Sequence, residues 1–431
     1  MRTATVRQAA ILAGGRGTRL GALASSTPKP LLRCGDRPFL AWLLRELSRF
    51  GVEEAVLLTG HLGGAVEAAL PAIAASLPKP LRIVCNRESE PAGTGGALYR
   101  ARALLDRRFL LCNGDSWLDC NLSRLLADGA RDAPGTLGRV VLRRLDDASR
   151  YGVVETDGDR ITGFRERGAP GRAGTINAGI YLFDRAILDC IAPICSLERD
   201  VMPALAAQGA LRATLADGYF IDIGVPADFA RSQTELPDRL RRRALFLDRD
   251  GVINIDRGWV GTRERFRFVA GARRAIREAS DAGWHVFVVT NQSGIARGLY
   301  DEAQFASLSA WMIDAIRGAG GTIDDLRYCP FHPEAPLAAY RRASDWRKPA
   351  PGMLLDLIAR WQLEPARCLM VGDQPSDLAA AAAAGVPAHL FPGGDLAAFI
   401  APLLNISRQA EAPPHVLTRF HGKLDTPRRR S

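Results

Sequence analysis

Short apolar runs alternate with longer segments of mixed polarity along the first half of the chain. Four such runs are Ala9–Leu12, Ala55–Thr59, Leu81–Val84 and Phe109–Cys112. This alternation is typical of buried parallel strands that are connected by helices. Between 140 and 183 the apolar runs follow one another more closely, with turns such as Asp157-Gly158-Asp159 between them. The pattern therefore predicts a parallel sheet flanked by helices, with an antiparallel addition in its later part.

The same alternation starts again after a basic segment. Residues 236–243 read Leu-Pro-Asp-Arg-Leu-Arg-Arg-Arg, which combines a helix breaker with a run of charge directly before the apolar run Ala244–Leu247. Later apolar runs are His285–Thr290, Cys368–Val371 and Ala388–Phe391. We predict two doubly wound, Rossmann-like α/β domains, at 1–236 and 244–405. A basic linker at 237–243 joins them, and a loosely ordered tail is expected at 406–431.

Composition indicates a folded, soluble protein. The chain has 431 residues, of which 47% are hydrophobic and 24% charged, as is typical of globular proteins with two or three domains. Its longest apolar stretch, near 378–390, is shorter than the ~20 residues that span a bilayer, and the stretch near the N-terminus is too short for a secretion signal. The eight cysteines form no CxxC pair, so we expect buried thiols and a cytoplasmic location.

The distribution of charge favours anionic small molecules over nucleic acid as partners. The formal net charge is +10, but the arginines are spread along the chain without a basic stripe interleaved with aromatic residues. Nucleic-acid binding through the Arg-rich linker and tail is left as a minor alternative, because charge runs are usually solvated. Lysine occurs only at 29, 79, 348 and 423, so each position is a candidate for a site that needs a compact ammonium group.

A glycine-rich loop follows the first predicted strand. The sequence Gly14-Gly15-Arg16-Gly17-Thr18-Arg19 lets the backbone approach phosphates closely and adds two guanidinium groups. Such a loop alone could also be an ordinary turn between a strand and a helix. Ten residues later, however, Lys29 lies in a stiff Pro-Lys-Pro segment that aims its ammonium group. Lys79 lies in the same tripeptide without a glycine loop, which we interpret as a surface turn. The combination around Lys29 predicts a cradle for a nucleoside triphosphate.

The motif GGxGTRL followed by Pro-Lys-Pro resembles the sugar-phosphate nucleotidyltransferases. The resemblance extends over residues 8–234 and includes the segments 90–97, 111–115, 164–167, 177–180 and 218–224. It implies a nucleotidyltransferase fold in which Arg16, Arg19 and Lys29 stabilise the leaving pyrophosphate.

The same resemblance assigns the remaining contacts of this half. The residues that it places on the nucleotide are Gly14, Gly15, Arg16, Gly17, Thr18, Gly93, Thr94 and Gly95. It places Glu166 and Asn177 on the sugar phosphate, and Mg²⁺ on Asp115 and Asp222. The chain departs from the family pattern at Arg167, where Lys is usual, and at Val225, where many relatives carry Thr.

Two carboxylates follow the first strand of the second half at alternate positions. Asp248 and Asp250 come directly after Ala244–Leu247, and residues two apart lie on the same side of an extended chain. The carboxyl edge of a parallel sheet is where doubly wound folds bind ligands. This DxDG motif resembles the haloacid-dehalogenase phosphohydrolases.

That resemblance implies an aspartyl-phosphate mechanism, and the remaining motifs follow in order at Thr290, Lys348 and Asp373. Asp248 would attack phosphorus, and Asp250 would protonate the leaving alcohol and then activate water. Thr290 and Lys348 would hold phosphoryl oxygens. Asp373, Asp248 and the carbonyl of Asp250 would bind Mg²⁺.

Within that superfamily the matches resemble heptose 1,7-bisphosphate phosphatases, with histidinol-phosphate phosphatases as close neighbours. The matching segments are 249–254, 290–298, 329–333 and 347–353. The resemblance implies that the substrate contacts Asn291, Arg297 and Arg347. Asp377 is left open, either as a group that positions Lys348 or a metal-bound water, or as a helix N-terminal carboxylate.

Relatives of this kind carry a structural zinc loop, and this chain departs from it. Cys329 is kept, but Phe331, Ser344 and Trp346 stand at the other three ligand positions. One thiolate cannot hold tetrahedral zinc. We therefore predict Mg²⁺ in both domains and no zinc, with Phe331 and Trp346 packing the loop.

The two resemblances fit one pathway, since removal of the 7-phosphate yields the sugar 1-phosphate that the first domain would consume. The first half resembles heptose 1-phosphate guanylyltransferases, partly through segments 90–97 and 146–153. This resemblance predicts a bifunctional enzyme that makes GDP-D-glycero-D-manno-heptose for surface polysaccharide. Heptose bisphosphate, heptose 1-phosphate and a nucleoside triphosphate, GTP by analogy, are the expected substrates; no membrane partner is expected, and homo-oligomerisation is left open. The alternatives are a mannose 1-phosphate guanylyltransferase fused to a histidinol-phosphate-type phosphatase, and a non-enzyme that senses sugar nucleotides.

Overall fold

The computed structural model describes residues 6–167 and 171–410 and has a two-domain α/β architecture. The strands of the first domain are β1 (Gln8–Ala13), β2 (Arg33–Cys34), β3 (Arg37–Pro38), β4 (Glu54–Thr59), β5 (Arg82–Arg87), β6 (Arg108–Asn113), β7 (Ser116–Leu118), β8 (Gly138–Leu145), β9 (Gly152–Asp157), β10 (Arg160–Arg167), β11 (Gly174–Asp184), β12 (Leu211–Leu215) and β13 (Phe220–Asp222). Its helices are α1 (Phe39–Arg49), α2 (Gly63–Ser76), α3 (Gly93–Ala101), α4 (Leu122–Gly129), α5 (Met202–Ala207) and α6 (Pro226–Leu240).

The second domain contains five strands and six helices within the described residues. The strands are β14 (Ala244–Leu247), β15 (His285–Asn291), β16 (Asp325–Cys329), β17 (Cys368–Gly372) and β18 (Ala388–Leu390). The helices are α7 (Ala272–Asp281), α8 (Ser293–Ala296), α9 (Glu302–Arg317), α10 (Gly352–Trp361), α11 (Pro375–Ala383) and α12 (Leu396–Ala410).

The sheet of the first domain is mixed, so a doubly wound parallel sheet describes only part of it. Its strand order is β5-β4-β1-β6-β11-β8-β12-β10-β9. The β5-β4-β1-β6 part is parallel, whereas β11 pairs antiparallel with both β6 and β8. The antiparallel addition is therefore confirmed, and it is continuous with the parallel part. Because the chain leaves β1 toward β4 and later returns to β6, a topological switch point lies between β1 and β6.

Burial on both faces explains the continuous apolar run in β1. Alternate side chains of a strand point to opposite faces. Ala10 accordingly packs in one core cluster with Val56, while Ala9 and Ile11 pack in the other with Leu44 from α1. Helices cover both faces, so no position of the strand has to be polar.

The second sheet is entirely parallel, with the order β16-β15-β14-β17-β18. Its first strand also feeds two cores, with Leu245 and Leu247 on one face and Ala244 and Phe246 on the other. The neighbours of β14 are β15 and β17, which creates a second switch point between β14 and β17.

The segment predicted as a basic linker starts inside α6 and is not a solvated joint. Arg242 is only 7% exposed, and its Nη2 donates to Asp119 Oδ1 at 2.8 Å and to Glu46 Oε1 at 2.9 Å. The segment around Lys79 likewise differs from the surface turn that we expected. The carbonyl of Pro78 accepts a hydrogen bond from Arg360 of the second domain, and burial lowers the pKa of Lys79. Both segments belong to the contact between the domains.

Helix α12 extends to Ala410, past the predicted start of the tail, and residues 411–431 lie outside the described residues. The eight cysteines carry free thiols, but only four are buried as expected; Cys190 is exposed, and Cys85, Cys120 and Cys195 are partly buried. Within 6–167 and 171–410, no helix has both the length and the apolar character that a bilayer crossing requires.

Candidate active sites

A cavity of about 820 Å³ opens at the switch point of the first sheet. The loop after β1 contributes Gly14, Gly15 and Arg16, and the turn after β6 contributes Asp115. Lys29, Gly93 and Thr94 also line it, together with three side chains that the sequence had not singled out, His61, Glu88 and Glu198. Its volume falls in the range of small-molecule sites. The glycine loop, the lysine and the carboxylate that the sequence predicted to meet therefore line one cavity.

Lys29 and Asp115 are joined directly, since Nζ lies 2.9 Å from Oδ2. Asp222 lies beside them because β13 pairs antiparallel with β7, which places Asp222 opposite Ser116. Burial raises the pKa of Asp222, and the nearby charge of Asp115 raises it further. A buried carboxylate beside a second carboxylate is stabilised in its charged form by a cation between them. The pair therefore fits a hard divalent ion such as Mg²⁺.

A second cavity, of about 340 Å³, opens at the switch point of the second sheet. Asp248 follows β14 and Asp373 follows β17, and both line it with Thr290 and Lys348. Lys348 Nζ lies 2.9 Å from Asp248 Oδ1 and 2.5 Å from Asp377 Oδ1, and it donates to the carbonyl of Val289. Burial alone would lower the pKa of this lysine, but the two carboxylates raise it. Lys348 therefore stays charged between them.

The carboxylates of this cavity form a cluster suited to a metal ion. Ligand atoms of Asp248, Asp373 and Asp377 lie within 4.8 Å of one another. Burial raises the pKa of Asp248 to about 7, against the lowering effect of Lys348. Asp373 Oδ1 is buried without a hydrogen-bond partner, and such an acceptor is costly unless something binds it. An oxygen-only donor set with an orphaned buried acceptor fits Mg²⁺.

Asp250 is held by three donors on its two oxygens. Arg249 Nη2 and Asn254 Nδ2 donate to Oδ1 at 2.7 and 2.9 Å, and Gln292 Nε2 donates to Oδ2 at 2.9 Å. Tyr300 donates to Gln292 Oε1 at 2.6 Å, which fixes the amide so that its NH₂ group faces Asp250. The carboxyl group is thus oriented by a connected network at the edge of the metal-ligand cluster.

Comparison with known proteins assigns each half of the chain to a protein family. A family model described as nucleotidyl transferase matches residues 8–239, and one described as HAD-hydrolase-like matches residues 345–418. The D-glycero-beta-D-manno-heptose-1,7-bisphosphate 7-phosphatase of Rhodopseudomonas palustris is 49% identical over 164 residues, which are 38% of this chain and 91% of that protein. The chain belongs to the nucleotidyl transferase family and, through its second half, to these phosphatases.

Two further similar proteins cover one domain each. The phosphatase of the same name from Escherichia coli K12 is 45% identical over 143 residues, which are 33% of this chain and 75% of that protein. The crystal structure of HddC from Yersinia pseudotuberculosis is 28% identical, covers 54% of this chain and 100% of that one, and has a TM-score of 0.48.

In the nucleotidyl transferase domain, some sequence-predicted residues lie outside the cavity lining. Gly95 packs against Cys195, whose Sγ lies 2.5 Å from where a Cβ would be. Gly17 has φ = 68°, so it allows the turn into the following 3₁₀ helix. The amide of Asn177 bonds to Tyr181 Oη and to the backbone N–H of Gly179.

Thr18, Arg19 and Asp222 are also outside the lining. Thr18 and Arg19 lie in the 3₁₀ helix, where Arg19 lies near Asp222. Asp222 is the last residue of β13, and the pairing of β13 with β7 brings it opposite Ser116. Glu166 is in β10, but its side chain lies outside the described residues.

Glu88 is the notable residue that the sequence analysis missed. It follows β5, its side chain is 13% exposed, and it lines the cavity beside the glycine loop. Its Oε2 is buried without a hydrogen-bond partner, and the nearest cation is Arg100 at 3.9 Å. The sequence could have identified Glu88 as a candidate, because it lies at the end of a parallel strand.

In the phosphatase domain, the residues predicted to contact substrate divide into two groups. Asn291 lines the cavity, but its amide also exchanges hydrogen bonds with the backbone of Lys348, which positions that lysine. Arg297 and Arg347 are outside the lining. Burial lowers the pKa of Arg347, and the charge of Arg297 lowers it further, so the two guanidinium groups lie near each other.

The segment that carries the zinc-loop positions is packed by aromatic groups. Phe331 and Trp346 pack against the core cluster that contains Cys329, as the sequence predicted. The guanidinium of Arg342 lies 3.7 Å from the centroid of the Phe331 ring. Phe331 and Trp346 offer no metal-ligand atom, and one thiolate cannot hold tetrahedral zinc, so the prediction of no zinc here rests on these residue types.

Proposed function

We propose that this chain is a bifunctional enzyme that makes GDP-D-glycero-D-manno-heptose. The phosphatase domain removes the 7-phosphate from the heptose 1,7-bisphosphate, and the nucleotidyl transferase domain then transfers GMP from GTP to the heptose 1-phosphate. The observation that carries the proposal is that each sheet has its own cavity at its switch point, each with its own lysine and carboxylates. The order of the steps follows from the chemistry, because the product of one is the substrate of the other.

The first step is the formation of an aspartyl-phosphate on Asp248. Its Oδ1 accepts from Lys348 and from the backbone N–H of Arg249, so Oδ2 is the oxygen that we assign to attack on phosphorus. The bond between phosphorus and O7 breaks, and Asp250 gives a proton to the leaving oxygen. Asp250 then takes a proton from the water that hydrolyses the acyl phosphate. Thr290 and Lys348 hold the phosphoryl oxygens.

In the second step, a phosphate oxygen of the heptose 1-phosphate attacks the α-phosphorus of GTP and pyrophosphate leaves. The glycine loop and Arg16, Arg19 and Lys29 neutralise the triphosphate. We assign Mg²⁺ to Asp115 and Asp222 in this domain and to Asp248, Asp373 and the Asp250 carbonyl in the other. When bound, the ion would neutralise phosphoryl charge and align the reacting groups.

Guanine is the base that we propose, and Glu88 supports it. A carboxylate accepts hydrogen bonds and donates none. Guanine presents two neighbouring donors, N1–H and the 2-amino group. Adenine presents one amino group beside a ring-nitrogen acceptor, and uracil and thymine present one N3–H between two carbonyl oxygens that a carboxylate repels. The unpartnered Oε2 of Glu88 at the cavity wall therefore complements guanine best.

We also propose that the two domains span 1–236 and 244–405, that both are Rossmann-like, and that the protein is cytoplasmic. Residues Asn177, Glu166, Asn291, Arg297 and Arg347 remain proposed substrate contacts.

The test compares two single substitutions in the full chain. With heptose 1,7-bisphosphate, Asp248→Asn should abolish phosphate release, while pyrophosphate release from heptose 1-phosphate and GTP continues at the wild-type rate. Asp115→Ala should have the opposite effect. The proposal is wrong if the folded wild-type chain releases neither product, or if either substitution stops both reactions.

A further inference from the structure

The loop after Asp250 carries an aromatic side chain in an unusual place. Trp259 lines the phosphatase cavity, yet the residue is 50% exposed. Its φ is 47°, in the left-handed region that bulky residues rarely adopt. Its neighbour Gly258 has φ = 68°, where glycine is the expected residue. Neither core packing nor backbone preference accounts for a tryptophan at this position.

The backbone on both sides of Trp259 is tied to arginine side chains. Arg265 Nη2 donates to the carbonyls of Arg257 and Gly258, both at 2.8 Å. Arg249, which is only 1% exposed, donates through Nη2 to the carbonyl of Val260 at 2.6 Å. Hydrogen bonds from charged donors are among the stronger ones. They hold the loop in a conformation that costs free energy, and such strain persists where the surroundings impose it, commonly at functional sites.

The groups around the indole ring are suited to binding an anionic sugar. The guanidinium of Arg297 lies 5.4 Å from the ring centroid, so an exposed cation and an apolar surface lie side by side at the cavity mouth. Asp248, which we assign as the nucleophile, lines the same cavity. Pyranose rings present C–H faces that pack on aromatic rings, and their phosphates pair with arginine.

We propose that Trp259 is the platform on which the sugar ring of the phosphatase substrate stacks, and that it sets the preference of this site for ring sugars over ring-less phosphate esters. The inference rests on the proposed phosphatase activity. It adds a specificity-determining residue that lies outside the nucleophile, acid–base and metal groups.

Two substitutions separate the ring from the backbone. Trp259→Asn removes the ring, but Asn tolerates the left-handed conformation. Trp259→Phe keeps a ring and retains the backbone strain. For each full-length variant, kcat and KM are measured for heptose 1,7-bisphosphate and for glycerol 3-phosphate, which has no ring. Circular dichroism and pyrophosphate release by the other domain report on folding.

We expect Trp259→Asn to lower the ratio of kcat/KM for heptose bisphosphate to that for glycerol 3-phosphate at least ten-fold, with a rise in KM larger than the fall in kcat. Trp259→Phe should retain most of the ratio. The inference is overturned if Trp259→Asn keeps the wild-type ratio, or if both variants lose it equally, because the ring would then have no role of its own. If the wild type does not hydrolyse heptose bisphosphate, the proposed function fails, and the same ratio measured with glucose 1,6-bisphosphate, which also has a pyranose ring, still decides the platform.

Discussion

Arg49 at the end of α1 donates through Nε to Asp324 Oδ1 at 2.5 Å, across the contact between the two domains. The two side chains are 1% and 0% exposed. The same carboxylate oxygen lies 2.7 Å from His285 Nδ1, and Arg49 also donates to the carbonyl of Trp284. Arg49 also pairs with Glu46 of its own domain at 2.9 Å, so its buried charge is shared between a carboxylate of each domain. The domains are therefore coupled in stability as well as in sequence.

Removing one partner of this pair should be strongly destabilising. Arg49→Met leaves Asp324 buried without its cation, and breaking a buried ion pair costs about 3–5 kcal/mol. Urea unfolding followed by circular dichroism measures the change. Arg274→Gln is the matched control, because the pair of Arg274 with Asp395 is exposed and exposed pairs contribute less than about 1 kcal/mol. Equal midpoints for the two variants would contradict the coupling.

Stability should also fall in acid through His285. Burial lowers the pKa of this histidine from 6.5 to about 3, although Asp324 favours the charged form. The unfolded chain therefore binds one more proton than the folded chain between these values, so stability is full above pH 6.5 and decreases as the pH falls toward 3. Burial also works against the charge of Asp324, but Arg49 and His285 lower its pKa to about 2, which adds a loss below pH 3.8.

Melting temperatures measured between pH 7 and pH 5 test this loss of stability in acid. The stability slope from one such proton approaches about 1.4 kcal/mol per pH unit. His285→Gln should flatten the curve, whereas His389→Gln, at an exposed position in β18, should leave the slope as in the wild type. An unchanged slope in His285→Gln would show that another group carries the acid sensitivity.

The candidate residues whose position the sequence located are those that follow apolar strands. Asp115, Asp248 and Asp373 each come at the carboxyl end of a strand, and parallel strands bring those ends to one edge. Periodicity therefore located both cavities without knowledge of the sheet order. The antiparallel addition was visible for the same reason, because closely spaced apolar runs leave no room for a crossover helix.

What the sequence could not show depends on contacts between distant segments. Lys79 was interpreted as part of a surface turn because no glycine loop precedes its Pro-Lys-Pro tripeptide, yet this segment contacts the second domain. Arg242 belongs to a charge run, and only the fold reveals that Asp119 and Glu46 lie beside it. A local pattern carries no information about which other domain will pack against it.

Gly251 offers a test of the phosphatase cavity that leaves the charged groups in place. A Cβ at this position would lie 2.2 Å from Asp373 Oδ2, and its φ is +87°. Gly251→Ala must therefore displace a proposed metal ligand, and phosphate release should fall at least about 100-fold. Gly393→Ala is the control, since Gly393 has a similar φ of +94° with nothing within 4 Å. The Gly393→Ala variant has the same backbone strain and should retain activity. Comparable losses of phosphate release in both variants would show that strain alone is responsible.

Glu88 should decide which base the nucleotidyl transferase domain accepts. Glu88→Gln replaces one acceptor with a donor, so one guanine donor would meet an NH₂ group, while uracil, with N3–H beside a carbonyl, would be matched better. We expect kcat/KM for GTP to fall about 10–100-fold, as for the loss of a buried hydrogen bond to a charged group, and the ratio of GTP to UTP use to fall further. Pyrophosphate release with each nucleotide measures both. Glu90→Gln makes the same exchange at an exposed position of the same cavity and should keep the preference for GTP. If Glu88→Gln keeps it as well, the base is read by other groups.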